Sequence, residues 1–318
     1  MKKITYISLI LTMIFAFIFA KEKKREMKPY TFVTGLEKTD FTKTSIDLAE
    51  LYAGCPKRDC IPAISKPGFL KEKPDYLKDS DRGILVSHKG ESRFYPYNIL
   101  VWHEIVNDSI GDLHYAVTFC PLCGTGIVFN REFNGKVHKF GVSGTLYNSN
   151  LMMYDDVTYS LWSQSGGESV VGKYTGTELK LIKMQLLTYE QLKKGFPTAK
   201  IMSAETGHKR DYTKYPYGNY DLIDRIYFPV KNINKDFPVK ELFYVFKLNK
   251  NSVAVRISEF EDGRYIKKIE GKNVTLIKNN GSVTIGSGGK IIPGYYEMWF
   301  SFYSTQGEEG IIWTKQTP

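Results

Sequence analysis

The sharpest chemical feature of the sequence is Cys120-Pro-Leu-Cys123-Gly124. Two thiolates at this spacing hold one metal ion or close a small, reactive disulfide. In a thioredoxin-like site the second cysteine opens a helix whose dipole lowers the first thiol's pKa. Here Gly-Thr-Gly and then Ile-Val-Phe-Asn follow, which is strand sequence. A tight turn between two strands is therefore expected, the geometry of a metal knuckle. A closed four-cysteine site needs a second pair, and only Cys55 and Cys60 remain. Their simplest reading is a local disulfide around a short loop. The plain alternative for Cys120 and Cys123 is a hairpin-tip disulfide without chemistry.

A second cluster, Trp102-His103-Glu104-Ile105-Val106-Asn107-Asp108, sets an imidazole beside a carboxylate, with an amide and another carboxylate close behind. Asn107 stands four residues after His103, which excludes the HExxH protease motif. His103 is then a metal ligand, or the base that lowers the Cys120 pKa, with Glu104, Asn107 and Asp108 orienting it. Taken alone, the motif also reads as a buried His and Asp satisfying backbone groups. Third comes the stretch from Phe140 to Gln164, where Ser143, Tyr147, Asn148, Asp155, Ser163 and Gln164 surround Trp162. This set suits a sugar or small polar ligand with Trp162 as a stacking face, or polar groups that satisfy one another between strands. Gly-Val-Ser-Gly-Thr at Ser143 lacks the G-x-S-x-G spacing of a nucleophile elbow. His88, His114, His138 and His208 are scattered and read as surface histidines.

The elements that must position these residues are mostly strands. From Gly83 onward, short segments rich in β-branched and aromatic residues alternate with turn residues. ILVSHKGESRFYP reads as strand, turn, strand, and HYAVTF and GIVFNRE flank the cysteine pair as two more. Asn134-Gly135 is a hairpin signal. The clearest helix starts at Thr188, with Gln191 completing a capping box and Gly195 and Pro197 ending it. The Tyr-rich segment from His208 to Pro229 reads as a long ordered strap. Sliding the chain by 160 residues lays ILVSHKGESRFYPYNIL over YVFKLNKNSVAVRISEF in phase, so the pattern admits an internal duplication as well as two ordinary meanders.

The formal charge of +10 invites a nucleic-acid reading that its distribution weakens. Lysines and arginines crowd the first 28 residues, around an uncharged run from Ile4 to Ala20. Residues 1–20 have the layout of a signal peptide, or of an uncleaved N-terminal anchor. The expectation is an exported protein of the periplasm or cell envelope, with no nucleic-acid partner and membrane association only through that segment. Residues 21–40 read as a basic linker, 41–235 as a main domain with both motifs, and 236–318 as a C-terminal β lobe packed on it.

Taken in series, RFYPYNILVWHEIVND, AVTFCPLCGTGIVFNRE, FGVSGTLYNSNLMMYD, SLWSQSGGESVVG and TGHKRDYTKYPYGNY resemble the domain-of-unknown-function 3179 family of bacterial exported proteins. The resemblance runs from about Gly54 to Tyr220 and more loosely to Val255. It implies no activity. It does imply that His103, Glu104, Asn107, Asp108, Cys120, Cys123, Ser143, Tyr147, Asn148, Asp155, Trp162 and Gln164 are hallmark positions that converge on one cleft. Cys55 and Cys60 depart from the family pattern, and the tract from Val253 to Ile257 lacks an expected Tyr-Pro. The sequence thus predicts a mainly β, two-lobed protein with a few short helices. Its expected site is Cys120, Cys123 and His103, for a transition metal (copper or iron before zinc) or for thiol–disulfide exchange with a redox partner. The rival expectation is a non-catalytic module for a glycan or small polar ligand, with the cysteine pair as a staple.

Overall fold

Runs of β-branched and aromatic residues build strands such as 113–120 and 125–130 that are buried on both faces, and these strands form layered sheets. The computed structural model describes residues 33–316, so the expected signal segment and the basic flank as far as residue 32 lie outside the described residues. The first hairpin joins β1 (Arg82–His88) to β2 (Glu91–Pro96). Next come α1 (Tyr97–His103), β3 (Ile105–Ile110), β4 (Leu113–Cys120) and β5 (Thr125–Asn130). A separate antiparallel layer holds β6 (Phe140–Tyr147), β7 (Asn150–Asp155) and β8 (Leu161–Ser163). Then follow β9 (Gln185–Thr188), α2 (Tyr189–Gly195) and β10 (Lys200–Met202). Thr188 and Gln191 make the expected reciprocal capping box on α2. Asn134 and Gly135 both take positive φ in the predicted short hairpin.

After a strap from residue 203 to 241, the chain forms β11 (Leu242–Leu248), β12 (Asn251–Val255), β13 (Gly263–Ile269), β14 (Lys272–Asn279) and β15 (Ser282–Ser287). It ends with β16 (Gly294–Met298), α3 (Trp299–Gln306) and β17 (Ile311–Trp313). No helix among the described residues is long and apolar enough to cross a membrane.

The topology is repeated. In one sheet β9, β1, β2 and β10 are neighbours in that order, and in another β16, β11, β12 and β17 are. In both, a strand, a helix and a parallel strand close the unit. β11 lies 160 residues after β1 over its whole length, and Ser87↔Ser92 in the first hairpin corresponds to Lys247↔Ser252 in the second. The echo in the sequence is thus an echo in the fold. The copies also dock reciprocally: β5 of the first pairs with β16 of the second, while β15 of the second lies against β9, where Ser282 Oγ donates to Gln185 Oε1 at 3.1 Å. One difference matters. The β14–β15 turn is the two residues Asn280-Gly281, whereas the β4–β5 turn is the four residues Pro121 to Gly124.

β3, β4, β5, β16, β11, β12 and β17 run consecutively in one eight-stranded sheet, which crosses the division at residue 235. On one face Tyr115, Val117, Val128, Tyr244, Phe246 and Val255 pack into a core shared by both copies. On the other, Ala116, Cys120, Ile127, Phe129, Phe243 and Tyr295 meet Met153, Trp162 and the strap. The cysteines belong to this second face.

Candidate functional site

β4 ends at Cys120, the turn runs through Cys123, and Thr125 opens β5 directly opposite Cys120. Gly124 closes the turn at φ +60°, where a side chain would strain the backbone and its Cβ, 2.9 Å from Met298 Cγ, would displace that side chain. Both cysteines are free thiols and almost fully buried. No helix starts at Cys123, as the glycines and β-branched residues behind it predict.

The two sulfurs have different surroundings. Cys123 Sγ receives the Thr125 hydroxyl and the Asn150 amide, each at 2.9 Å. The Asn150 donor is fixed in place. Asn150 Oδ1 accepts from the Ser165 amide at 2.9 Å, so its NH2 must face the sulfur and Gln164 Oε1. Gln164 in turn donates to Thr118 Oγ1 and the Thr125 carbonyl at 3.0 Å each. Two donors thus converge on the Cys123 sulfur. At Cys120 burial raises the pKa well above the ordinary thiol value, the adjacent Cys123 and the Glu104 carboxyl raise it further, and the Leu151 amide opposes them weakly.

Glu104 follows the last residue of α1 with φ +58°, its amide bonded to the Leu100 carbonyl at 2.6 Å. That reversal parts it from His103. Glu104 turns toward the cysteines, where burial raises its carboxyl to about 8 and the Tyr217 hydroxyl, 3.3 Å from Oε1, only partly offsets this. His103 turns away. Its Nδ1 lies 2.8 Å from the Pro62 carbonyl and therefore carries the proton, while Nε2 accepts from the Tyr212 hydroxyl at 2.7 Å. Burial first, then His208 and Arg210, lowers its pKa to about 4. With both nitrogens engaged, His103 is neither a ligand beside the cysteines nor their base. The expected orienting role of Glu104, Asn107 and Asp108 toward His103 gives way to other ties. Asn107 clamps both backbone groups of Phe140 at 2.8 Å, and Asp108 accepts from Arg93 Nη1 at 2.7 Å and Tyr95 at 2.6 Å.

Nor do the remaining hallmark residues line one cleft. Ser143 bonds Thr145 at 2.8 Å, and Asn148 accepts from the Lys231 amide at 2.9 Å. Asp155 gathers the amides of Val157, Thr158 and Ser160, the Thr158 hydroxyl and Trp162 Nε1. Trp162 is 0% exposed among Phe133, Phe140 and Tyr174, so it offers no face to a sugar. Tyr147 is half-buried beside Glu50. Gln164 alone of the third cluster belongs to the cysteine site. Cys55 and Cys60 form the expected disulfide, with Cα atoms 6.5 Å apart.

Sequence reasoning passed over Thr125, Asn150, Tyr217, Tyr220 and Glu297. Thr125 was signalled by its place two residues after Cys123, but nothing local marks the others. It also misjudged His138, which is fully buried and stacked at 3.8 Å on Phe133. Alternation from Phe140 points it inward. The strap closes the site: the Tyr220 hydroxyl donates to the Leu122 carbonyl at 2.6 Å, and Lys240 Nζ lies 3.3 Å from the centre of the Tyr220 ring. Among the described residues no group of three His, Cys, Asp or Glu side chains is arranged to hold a metal ion, and the donor set does not fit a Cys2His centre.

No curated protein and no solved structure matches the chain. A family model described as a protein of unknown function, DUF3179, matches residues 58–292. Over that span, which takes in the cysteine hairpin, its amide network and most of the second copy, the chain belongs to the DUF3179 family.

Proposed function

We propose that this is an exported thiol–disulfide redox protein whose centre is Cys120 and Cys123. The observation that carries the reading is the pair of donors on Cys123 Sγ, the Thr125 hydroxyl and the Asn150 amide. They prepare one sulfur of the pair to hold negative charge inside a closed core. The Cys123 thiolate attacks one sulfur of a partner disulfide and the partner's other sulfur leaves as a thiolate. Cys120 then gives its proton to the partner thiolate just released, attacks Cys123 Sγ and releases the partner's first sulfur, so the partner gains two electrons and the pair loses two. Reaching Cys123 requires the tyrosines of the strap to move aside. Export is supported by the charge and apolar layout of residues 1–28 and by the Cys55–Cys60 disulfide.

A second reading is a soft-metal site. Two sulfurs without a nitrogen or carboxylate ligand suit copper(I) better than iron or zinc, which want four ligands. Thiol counts before and after reduction, with metal analysis of the same sample, test both. A reversible Cys120–Cys123 disulfide within about −350 to −100 mV is expected. Two thiols that never join across that range, in a protein without copper, sink both readings.

A further inference from the structure

The eight-stranded sheet carries a buried carboxylate that the exchange steps leave unused. Glu297 on β16 is 1% exposed, and the single β5–β16 bridge, Gly126↔Tyr296, puts it directly across from Thr125. Thr125 is in turn directly across from Cys120 and donates to Cys123 Sγ at 2.9 Å. Side chains opposite one another on adjacent strands share a face with Cβ atoms about 4.5–5.5 Å apart. Cys120, Thr125 and Glu297 therefore form one row across three strands.

We propose that Glu297 is the proton store of the dithiol, working through the Thr125 hydroxyl. This deepens the redox reading and rests on it. Thr125 has one hydroxyl proton and three acceptors, the Cys123 sulfur, the Cys123 carbonyl at 3.2 Å and the Glu297 carboxylate, of which the sulfur and the carboxylate can change charge. In the oxidised protein Cys123 carries no charge, and the hydroxyl turns to the Glu297 carboxylate. Reduction by two electrons breaks the S–S bond; Cys120 takes one proton and Cys123 becomes a thiolate. The Thr125 hydroxyl swings to that thiolate, and Glu297 takes up the second proton to bond the vacated Thr125 oxygen. Two electrons thus arrive with two protons, although one sulfur stays ionised.

The surroundings of Glu297 allow this. The Ser301 hydroxyl on α3 donates to Oε1 at 2.7 Å, and the Ser165 and Thr125 hydroxyls also face the carboxyl. Tyr295, on its own strand, and the two cysteines beyond Thr125 are the other titratable groups near it; no cation faces it among the described residues. Burial holds the carboxyl at about 7, so it can change state near neutral pH.

The midpoint potential of Cys120/Cys123, measured against pH between about 7 and 8.5, tests the proposal. Two protons per two electrons give a slope of about 59 mV per pH unit, and one proton gives about 30 mV. The wild type should show the steeper slope, with Glu297→Gln and Thr125→Val near the shallower one and Thr125→Ser restoring the steeper. If Glu297→Gln does not fold, as judged by thermal unfolding, the Thr125→Val and Thr125→Ser pair decides. A two-proton slope that survives Glu297→Gln, or is lost only in Glu104→Gln, overturns the assignment. A wild type without any reversible couple overturns the redox reading itself.

Discussion

Glu104→Gln is the most informative single substitution. Glu104 is 6% exposed and meets one hydroxyl, and its carboxyl lies near 8 in the fold against an ordinary value of 4.5. The fold holds this group neutral. Its advantage is complete below the unfolded pKa of 4.5 and is lost as pH rises toward 8. One pKa unit is worth about 1.4 kcal/mol, so the cost of ionising Glu104 grows from about 1 kcal/mol at pH 5 to about 3 at pH 7 and about 5 at pH 9. Glutamine keeps the shape and the acceptor for Tyr217 but never ionises. Denaturant unfolding of both proteins at the three pH values isolates this residue, because every other titration is common to both. Relative to wild type, the variant should gain about 4 kcal/mol between pH 5 and 9. A stability difference that stays flat with pH would show that Glu104 is hydrated and ionised, and would refute the argument that burial holds it neutral.

Asn150→Ala deletes one of the two donors on Cys123 Sγ, so thiolate stabilisation of about 1.5 kcal/mol should vanish and the midpoint potential become about 30 mV more reducing, read by equilibration with glutathione. Asp155→Ala strands the buried Trp162 indole N–H and three backbone amides, and should cost more than about 3 kcal/mol in urea unfolding. Thr188→Ala breaks the capping box of α2 and should cost about 1 kcal/mol, with no change in thiol chemistry. Replacing Cys55 and Cys60 by serine opens a loop with a separation of only 5 residues, so a loss near 2 kcal/mol is expected, with the Cys120/Cys123 potential unmoved.

Local rules were legible in the sequence wherever short-range physics decides the outcome. The α2 cap, the Asn134-Gly135 turn and the strands on either side of the cysteine pair all depend on residues within a few positions of one another. The duplication was visible only as phase, because hydrophobic alternation persists where side-chain identities do not. What failed was direction. His103 and Glu104 are adjacent, and nothing in their types foretold that a positive φ at Glu104 would send one imidazole to Pro62 and Tyr212 and one carboxyl to Cys120. The partners of Cys123 come from β5, β7 and β16, and their convergence is set by strand order, which one sequence does not print. Trp162 looked like an exposed stacking platform for the same reason: its aromatic neighbours lie in three separate segments.

The reciprocal docking of the two copies also sets a sequence of events in time. Cys123 offers its carbonyl to the Met298 amide at 3.0 Å, and the Glu297 side of the site arrives on the same strand. A chain emerging from its N-terminus completes the cysteine hairpin long before residues 294–298 exist to seal it. Such long-range pairings form late. The two thiols therefore pass through an interval of open exposure during maturation, and whichever oxidant or reductant they meet then writes the state that the finished core encloses.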